Sequence, residues 1–209
     1  MFDYGYKQLD EVQKEVVQEC LGKLHGGGLC LNVGFGKTII AIVLGLYYQE
    51  QAHSLEPFLV VVSKTLLGSW KNEIDKFFHG TLKFTILHQD ECNLETYQLP
   101  DDVRMVVTTS QVVAKYYQLN HIDAMFKVDQ QAFRQGRMVQ LSRYNVPYQP
   151  FYQTDYGANM IFARKWSSLF VDEVHCYTNI NTLVCQGIGA ICSPIRWALS
   201  GEQSSSMVL

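Results

Sequence analysis

The chain has 209 residues, 47% of them hydrophobic and 18% charged, and its formal net charge is −3. That is enough apolar material for one substantial domain, and it excludes a disordered or coiled-coil chain. The slight negative balance also excludes a global attraction to nucleic acid, so any such contact needs a local patch.

The N-terminal stretch MFDYGYKQLDEVQ has no signal-peptide pattern. Leu9, Val12, Val16, Val17, Cys20, Leu21 and Leu24 recur at helical spacing and predict a helix from about Asp10 to Leu24. Gly26-Gly27-Gly28 punctuates its end, and GLCLN reads as a short buried strand. TIIAIVLGLYYQE then reads as a helix that is apolar all round and therefore largely buried. Its apolar run, Ile39 to Tyr48, is too short to span a bilayer, so no membrane is expected among the partners.

Between that strand and that helix lies LNVGFGKT. The strict phosphate-loop pattern begins with glycine where this chain has Leu31, and what remains is Gly-x-Gly-Lys-Thr. One reading is a solvated lysine in an ordinary strand-to-helix turn. The other is a phosphate cradle. Gly34, Phe35 and Gly36 supply a backbone that takes positive φ and turns its N–H groups toward an anion, with a helix N-terminus behind it. Lys37 then reaches the β- and γ-phosphates, and the Thr38 hydroxyl ligates Mg²⁺.

EPFLVVVS reads as a buried strand, and TLLGSWKNEIDKFF as a helix with Leu66, Leu67, Trp70, Ile74, Phe77 and Phe78 on one face, which makes Trp70 a core residue. LKFTILH and DVRMVVTTS read as strands, followed by a short helix from Gln111 to Tyr117. From Leu119 to Lys165 the periodicity fades, over a length greater than a simple connection needs. Arg134, Arg137 and Arg143 lie there among Tyr144, Tyr148, Phe151, Tyr152 and Tyr156. Basic residues interleaved with aromatics can clamp phosphates and stack bases, but the expectation is an insertion that folds onto the domain. SSLFVDEVH reads as a strand ending in acids. A helix around Thr182 to Ala190 and the strand IRWALS close the pattern. Strands alternating with helices predict an α/β fold with a mainly parallel sheet covered on both faces, a three-layer arrangement.

Leu169, Phe170 and Val171 deliver Asp172 and Glu173 to the strand end where ligands bind in such sheets. Asp172 would hold Mg²⁺ in its outer shell, opposite Thr38, and Glu173 would orient and deprotonate an attacking water. His175 stands ready to couple the site to neighbouring elements. None of the six cysteines (Cys20, Cys30, Cys92, Cys176, Cys185 and Cys192) forms a C-x-x-C pair. The expectation is reduced, buried thiols in an intracellular protein.

With these motifs in place, the chain resembles the first RecA-like lobe of a superfamily 2 helicase-type ATPase, most similar to the Swi/Snf-like DNA translocases. The likeness runs through almost the whole chain. DEVQKEVVQ resembles the segment that sets a glutamine, Gln13, against adenine. LNVGFGKT resembles motif I, which in this superfamily often lacks the first glycine. FLVVVSKTLLGSWKNEIDKFF resembles motif Ia with its Trp-x-x-Glu at Trp70 and Glu73. MVVTTSQVV resembles motif Ib, LFVDEVHCYTN motif II, and RWALSG the start of motif III, at Ser200 and Gly201.

The resemblance implies a P-loop fold, ATP and Mg²⁺ as cofactors, and duplex DNA as partner. Ser63, Lys64 and Thr65, and likewise Thr108, Thr109 and Ser110, offer hydroxyl and backbone N–H donors suited to a phosphate backbone read without its bases. Two departures stand out. Val174 replaces the usual alanine, and Ser200-Gly201 continues as Glu202-Gln203 instead of the family's Thr-Pro. The expectation is one ATP-binding lobe over 1–209, with 1–27 as the adenine-motif segment and 119–165 as an insertion. The second lobe, with its arginine finger, would be missing. Paired with that lobe, the chain would hydrolyse ATP to move along duplex DNA. The alternative is a weak nucleotide-, DNA- or partner-binding module. The nucleus, a viral factory or a virion would be its setting.

Overall fold

The computed structural model describes residues 1–119 and 157–201. Its core is a six-stranded, all-parallel sheet in the order β1-β6-β5-β2-β4-β3. The strands are β1 Gly26–Cys30, β2 Phe58–Val62, β3 Phe84–Leu87, β4 Met105–Thr109, β5 Leu169–Val171 and β6 Arg196–Ser200. The helices are α1 Phe2–Lys7, α2 Glu11–Leu21, α3 Lys37–Gln51, α4 Leu67–Phe78, α5 Ser110–Tyr117, α6 Met160–Ala163 and α7 Leu183–Ala190.

The α/β class follows from how the strands alternate. Successive side chains of a strand point to opposite faces. Phe58, Val60 and Val62 of β2, with Phe170 of β5 and Trp197 and Leu199 of β6, pack into a core shared with α2, α3 and α4. Leu59 and Val61, with Leu169, Val171 and Ala198, pack into a second core with α5, α6 and α7. All five residues of β2 are buried, as a central strand covered on both faces requires. Helix α3 is buried continuously from Ile39 to Leu46, because α1, α2 and α4 cover the sides that the sheet does not.

Several details differ from the sequence reading. Helix α2 ends at Leu21, short of Leu24, which is exposed. Its start is fixed by a capping box: Gln13 N donates to Asp10 Oδ1 at 2.8 Å and Asp10 N to Gln13 Oε1 at 3.1 Å. The glycine triplet does not precede β1 but forms it. Gly26 has φ +91, and a Cβ there would lie 1.9 Å from the Arg196 carbonyl oxygen, so the strand pairing itself demands glycine. The cysteines are free thiols, but only Cys20 is buried; Cys30, Cys176 and Cys192 are exposed. Cys30 lies on the edge strand, which explains its exposure.

Of the segment from Leu119 to Lys165, the described part folds back onto the domain. Ala158, Met160, Ile161 and Phe162 enter the second core. Arg134, Arg137, Arg143 and the aromatics around them lie outside the described residues.

Gly26→Ala should destabilise the chain by about 3 kcal/mol, from the strained φ together with the close contact. Urea unfolding read by tryptophan fluorescence measures it.

Candidate nucleotide-binding site

Because all six strands run the same way, whatever follows a strand emerges at one edge of the sheet. The loop 31–36 leaves β1, Asp172 and Glu173 leave β5, Gly201 leaves β6, and Ser63 to Thr65 leave β2.

In the loop, Gly34 has φ +84 and Gly36 φ +83, both left-handed. Gly36 is the N-cap of the 15-residue α3 and offers no side chain to its free N–H groups. Two positive-φ glycines ahead of a helix N-terminus are the backbone arrangement that an anion cradle requires. Lys37 is the first residue of α3, and its Nζ donates to the Leu31 carbonyl at 3.0 Å. Thr38 follows in the same turn, half-buried. Gln13 lies against the loop: its Nε2 donates to the Phe35 carbonyl at 3.1 Å. Both functions of that amide are thus engaged, one with the loop and one with the cap of α2. A Cβ on Gly36 would meet the same Nε2 at 2.5 Å.

Asp172 continues the alternation of β5 and falls on the α4 side of the sheet. It is 5% exposed. Trp70 Nε1 donates to its Oδ2 at 2.8 Å, and Glu173 N to its Oδ1 at 2.9 Å. Burial holds its carboxyl above the ordinary range; the Trp70 hydrogen bond pulls the other way, the Glu173 charge adds to the rise, and the nearby Lys37 charge opposes it. Glu173 takes φ +50 and caps a single 3₁₀ turn, Val174–Cys176, so the chain swings away immediately after the acids.

That turn carries His175 back to β6. Its Nδ1 lies 3.2 Å from Glu173 Oε2 and 3.0 Å from Ser200 Oγ. A side chain at Gly201 would begin 3.6 Å from Lys37 Nζ. Motif II, motif III and the phosphate loop therefore meet in one cluster. Its donor set, a carboxylate and a hydroxyl, is hard oxygen of the kind Mg²⁺ takes. Among the described residues no three His, Cys, Asp or Glu side chains gather to hold a metal by themselves. Asp172 and Thr38 suit an ion that keeps part of its shell in water and phosphate, which is the habit of Mg²⁺.

The two clusters expected to meet a phosphate backbone differ. Ser63, Lys64 and Thr65 form a half-exposed to exposed turn at the end of β2, with Ser63 Oγ and Thr65 Oγ1 2.9 Å apart and Lys64 Nζ 3.6 Å from Asp90. Thr108, Thr109 and Ser110 are buried. Thr108 Oγ1 donates to the Leu87 carbonyl and Thr109 Oγ1 accepts from Val112 N as the cap of α5. The Thr108 and Thr109 hydroxyls are thus engaged within the fold, one in the strand interior and one in the helix cap. Trp70 is buried in the core, as its helical face predicts, and its indole N–H also reaches the site at Asp172. Nothing in the local sequence signals this, because its partner is 102 positions away.

A cavity of about 490 Å³ opens elsewhere, beside the starts of β1 and β6, lined by His25, Gly26, Pro194 and Arg196 among others. The candidate site lies at the opposite edge of the sheet, where the strands end. No helix among the described residues is long and apolar enough to cross a membrane.

This fold and edge define a RecA-like nucleotide-binding lobe. The profile of the SNF2-related domain matches residues 12–202, and the chain belongs to that family as a helicase-like ATPase domain. It is similar to putative helicase 172L of Invertebrate iridescent virus 6, 26% identical over 85% of this chain and 30% of that protein. It is similar also to DNA repair protein RAD5 of Candida albicans, 22% identical over 91% of this chain and 16% of that protein. The Sulfolobus solfataricus SWI2/SNF2 ATPase core in complex with dsDNA shares the fold at a TM-score of 0.61 and 19% identity, over 93% of this chain and 32% of that one. The chain thus spans under a third of the length of these relatives.

Because burial raises the Asp172 carboxyl pKa, the folded state holds that proton more tightly than the unfolded one. The corresponding stability is full in acid and is lost as pH rises through the folded pKa. Measured against Asp172→Asn, which cannot titrate, the wild-type chain should therefore gain stability as pH falls from 7 into the acid range. Thermal unfolding of both chains across that range measures it.

Proposed function

We propose that this chain is the ATP-binding lobe of a DNA-dependent ATPase that tracks along duplex DNA when joined to a second lobe. The observation that carries the reading is the convergence of Lys37, Asp172, Glu173, His175 and Ser200 on one sheet edge. In this reading Lys37 and the N–H groups of the 34–36 loop hold the β- and γ-phosphates. Thr38 and Asp172 hold Mg²⁺, whose charge would offset that developing on the phosphates. Glu173 orients a water and takes its proton, and His175 relays the state of that acid to Ser200 on β6. Gln13, set on the loop, recognises the base. Ser63, Lys64 and Thr65 contact a DNA phosphate; the likeness to a core solved with dsDNA supports a duplex partner. The setting would be wherever duplex DNA is handled, a nucleus or a viral factory.

A second lobe enters the proposal because of where the arginines are. Arg104, Arg164 and Arg196 precede or open β4, β5 and β6, at the edge opposite the site. Arg196 is spent on the carbonyls that end α7, at Ile188, Gly189 and Ile191. Among the described residues no arginine stands at the site edge, and an arginine finger contributes about 10³–10⁵ in rate. The chain by itself then acts as a slow, weakly DNA-stimulated ATPase.

Lys37→Ala should weaken Mg·ATP binding by about 10- to 100-fold, the worth of one charge-assisted contact. Glu173→Gln should leave binding intact and stop the residual turnover. Calorimetry and phosphate release measure the two; unchanged affinity in Lys37→Ala removes the phosphate-loop assignment.

A further inference from the structure

A buried tryptophan needs only some acceptor for its N–H. Trp166 satisfies the need ordinarily, donating to the Ile161 carbonyl at 3.0 Å. Trp70 does not: from α4, 2% exposed, it donates at 2.8 Å to a carboxylate on another element. That carboxylate is Asp172, and its second oxygen is held by Glu173 N at 2.9 Å. Two donors from fixed directions, one on each oxygen, define the plane of the carboxylate and stop it from turning. Each oxygen keeps a lone pair for water or metal.

We propose that Trp70 is a positioning residue for the metal-site acid: its indole N–H locks the orientation in which Asp172 meets Mg²⁺. The proposal rests on the nucleotide reading of the site and adds a residue to it. Second-shell donors of this kind typically change metal affinity by about 10–100-fold when removed. A backbone donor alone leaves the carboxylate free to rotate about its one remaining hydrogen bond. Trp70 removes that freedom before any ligand arrives. The ring itself lies in the core with Ile74 and Phe78, so packing and positioning are separable by chemistry: phenylalanine keeps most of the ring and loses the donor.

Calorimetry of ATP binding to the 209-residue chain, with and without Mg²⁺, separates the roles. Trp70→Phe should keep the Mg²⁺-free affinity and lose about tenfold of the gain that Mg²⁺ brings. In an Asp172→Asn background the same substitution should change nothing further. A Trp70→Phe chain with the full Mg²⁺ gain overturns the proposal while leaving the nucleotide reading in place. A wild-type chain that binds no nucleotide removes both. Should Trp70→Phe not fold, the wild-type chain still decides. Its three tryptophans give three indole N–H resonances. One of them should shift when Mg²⁺ is added to the ATP-bound chain, and the same one should differ in Asp172→Asn. If none of the three responds to either change, the indole does not report on the acid and the proposal falls.

Discussion

The parallel direction of every strand is the constraint on which the rest of the molecule depends. Parallel strands must be joined by crossovers, and here the crossovers are largely helices that bury both faces of the sheet. The faces are thereby closed to ligands. What remains is the edge where the strands end, and one direction for all strands makes it a single edge. Residues separated by most of the chain come together there without any contact having to be formed for its own sake. The register does the rest: Cys30 pairs with Ser200 and Val171 with Ala198, so the phosphate loop and the acid pair leave the sheet on either side of β6.

Asp172 shows what such an edge demands. A carboxylate this far from water is costly unless its oxygens are hydrogen-bonded and opposite charge is near. Trp70 and Glu173 supply the first and Lys37 supplies some of the second. The compensation is incomplete, since the carboxyl remains harder to ionise than usual. A residue kept in that condition favours binding of a cation, because the cation relieves what the fold leaves unbalanced. The strain of Glu173, at φ +50, belongs to the same arrangement. It turns the chain sharply enough that its own N–H caps Asp172 while its side chain faces His175.

Consecutive residues were the legible part of this site. Gly34 to Thr38 between an apolar strand and an apolar helix, and Leu169 to Glu173 as a strand ending in acids, carry their geometry in their order. The layered fold was legible for the same reason, through the alternation of strand and helix. What failed involved choices made by partners distant in the chain. Glycine reads as a breaker, yet Gly26 to Gly28 pair with β6, and at Gly26 the Arg196 carbonyl leaves no room for a Cβ. Thr108 and Thr109 read as free donors, yet one is taken by Leu87 of the neighbouring strand. The other could have been recognised, since threonine just before SQVVAKYY is an N-cap signal. Helix α1 has six residues, too few for periodicity, and stands because Phe2, Tyr4 and Tyr6 pack against the first core.

Leu31 shows why the loop departs from the strict phosphate-loop pattern without losing its shape. Glycine at that position would matter if the backbone had to turn there. It does not: Leu31 is absent from the positive-φ residues, and its N–H donates to the Ser200 carbonyl at 3.1 Å, one step beyond the last pair of the β1–β6 ladder. The β1–β6 hydrogen bonding thus runs one residue past β1, and the left-handed glycines come only after it. Its carbonyl, facing the loop, accepts from Lys37 Nζ at 3.0 Å. A phosphate reaching Lys37 would exchange this neutral acceptor for a charged one, and the charged bond is roughly twice as strong. Leu31 thus ties Lys37 to Ser200 through its own backbone, and Ser200 ties on to His175 and Glu173. What position 31 requires is a backbone without a positive φ and with both its polar groups in use, which leucine meets at less conformational cost than glycine does.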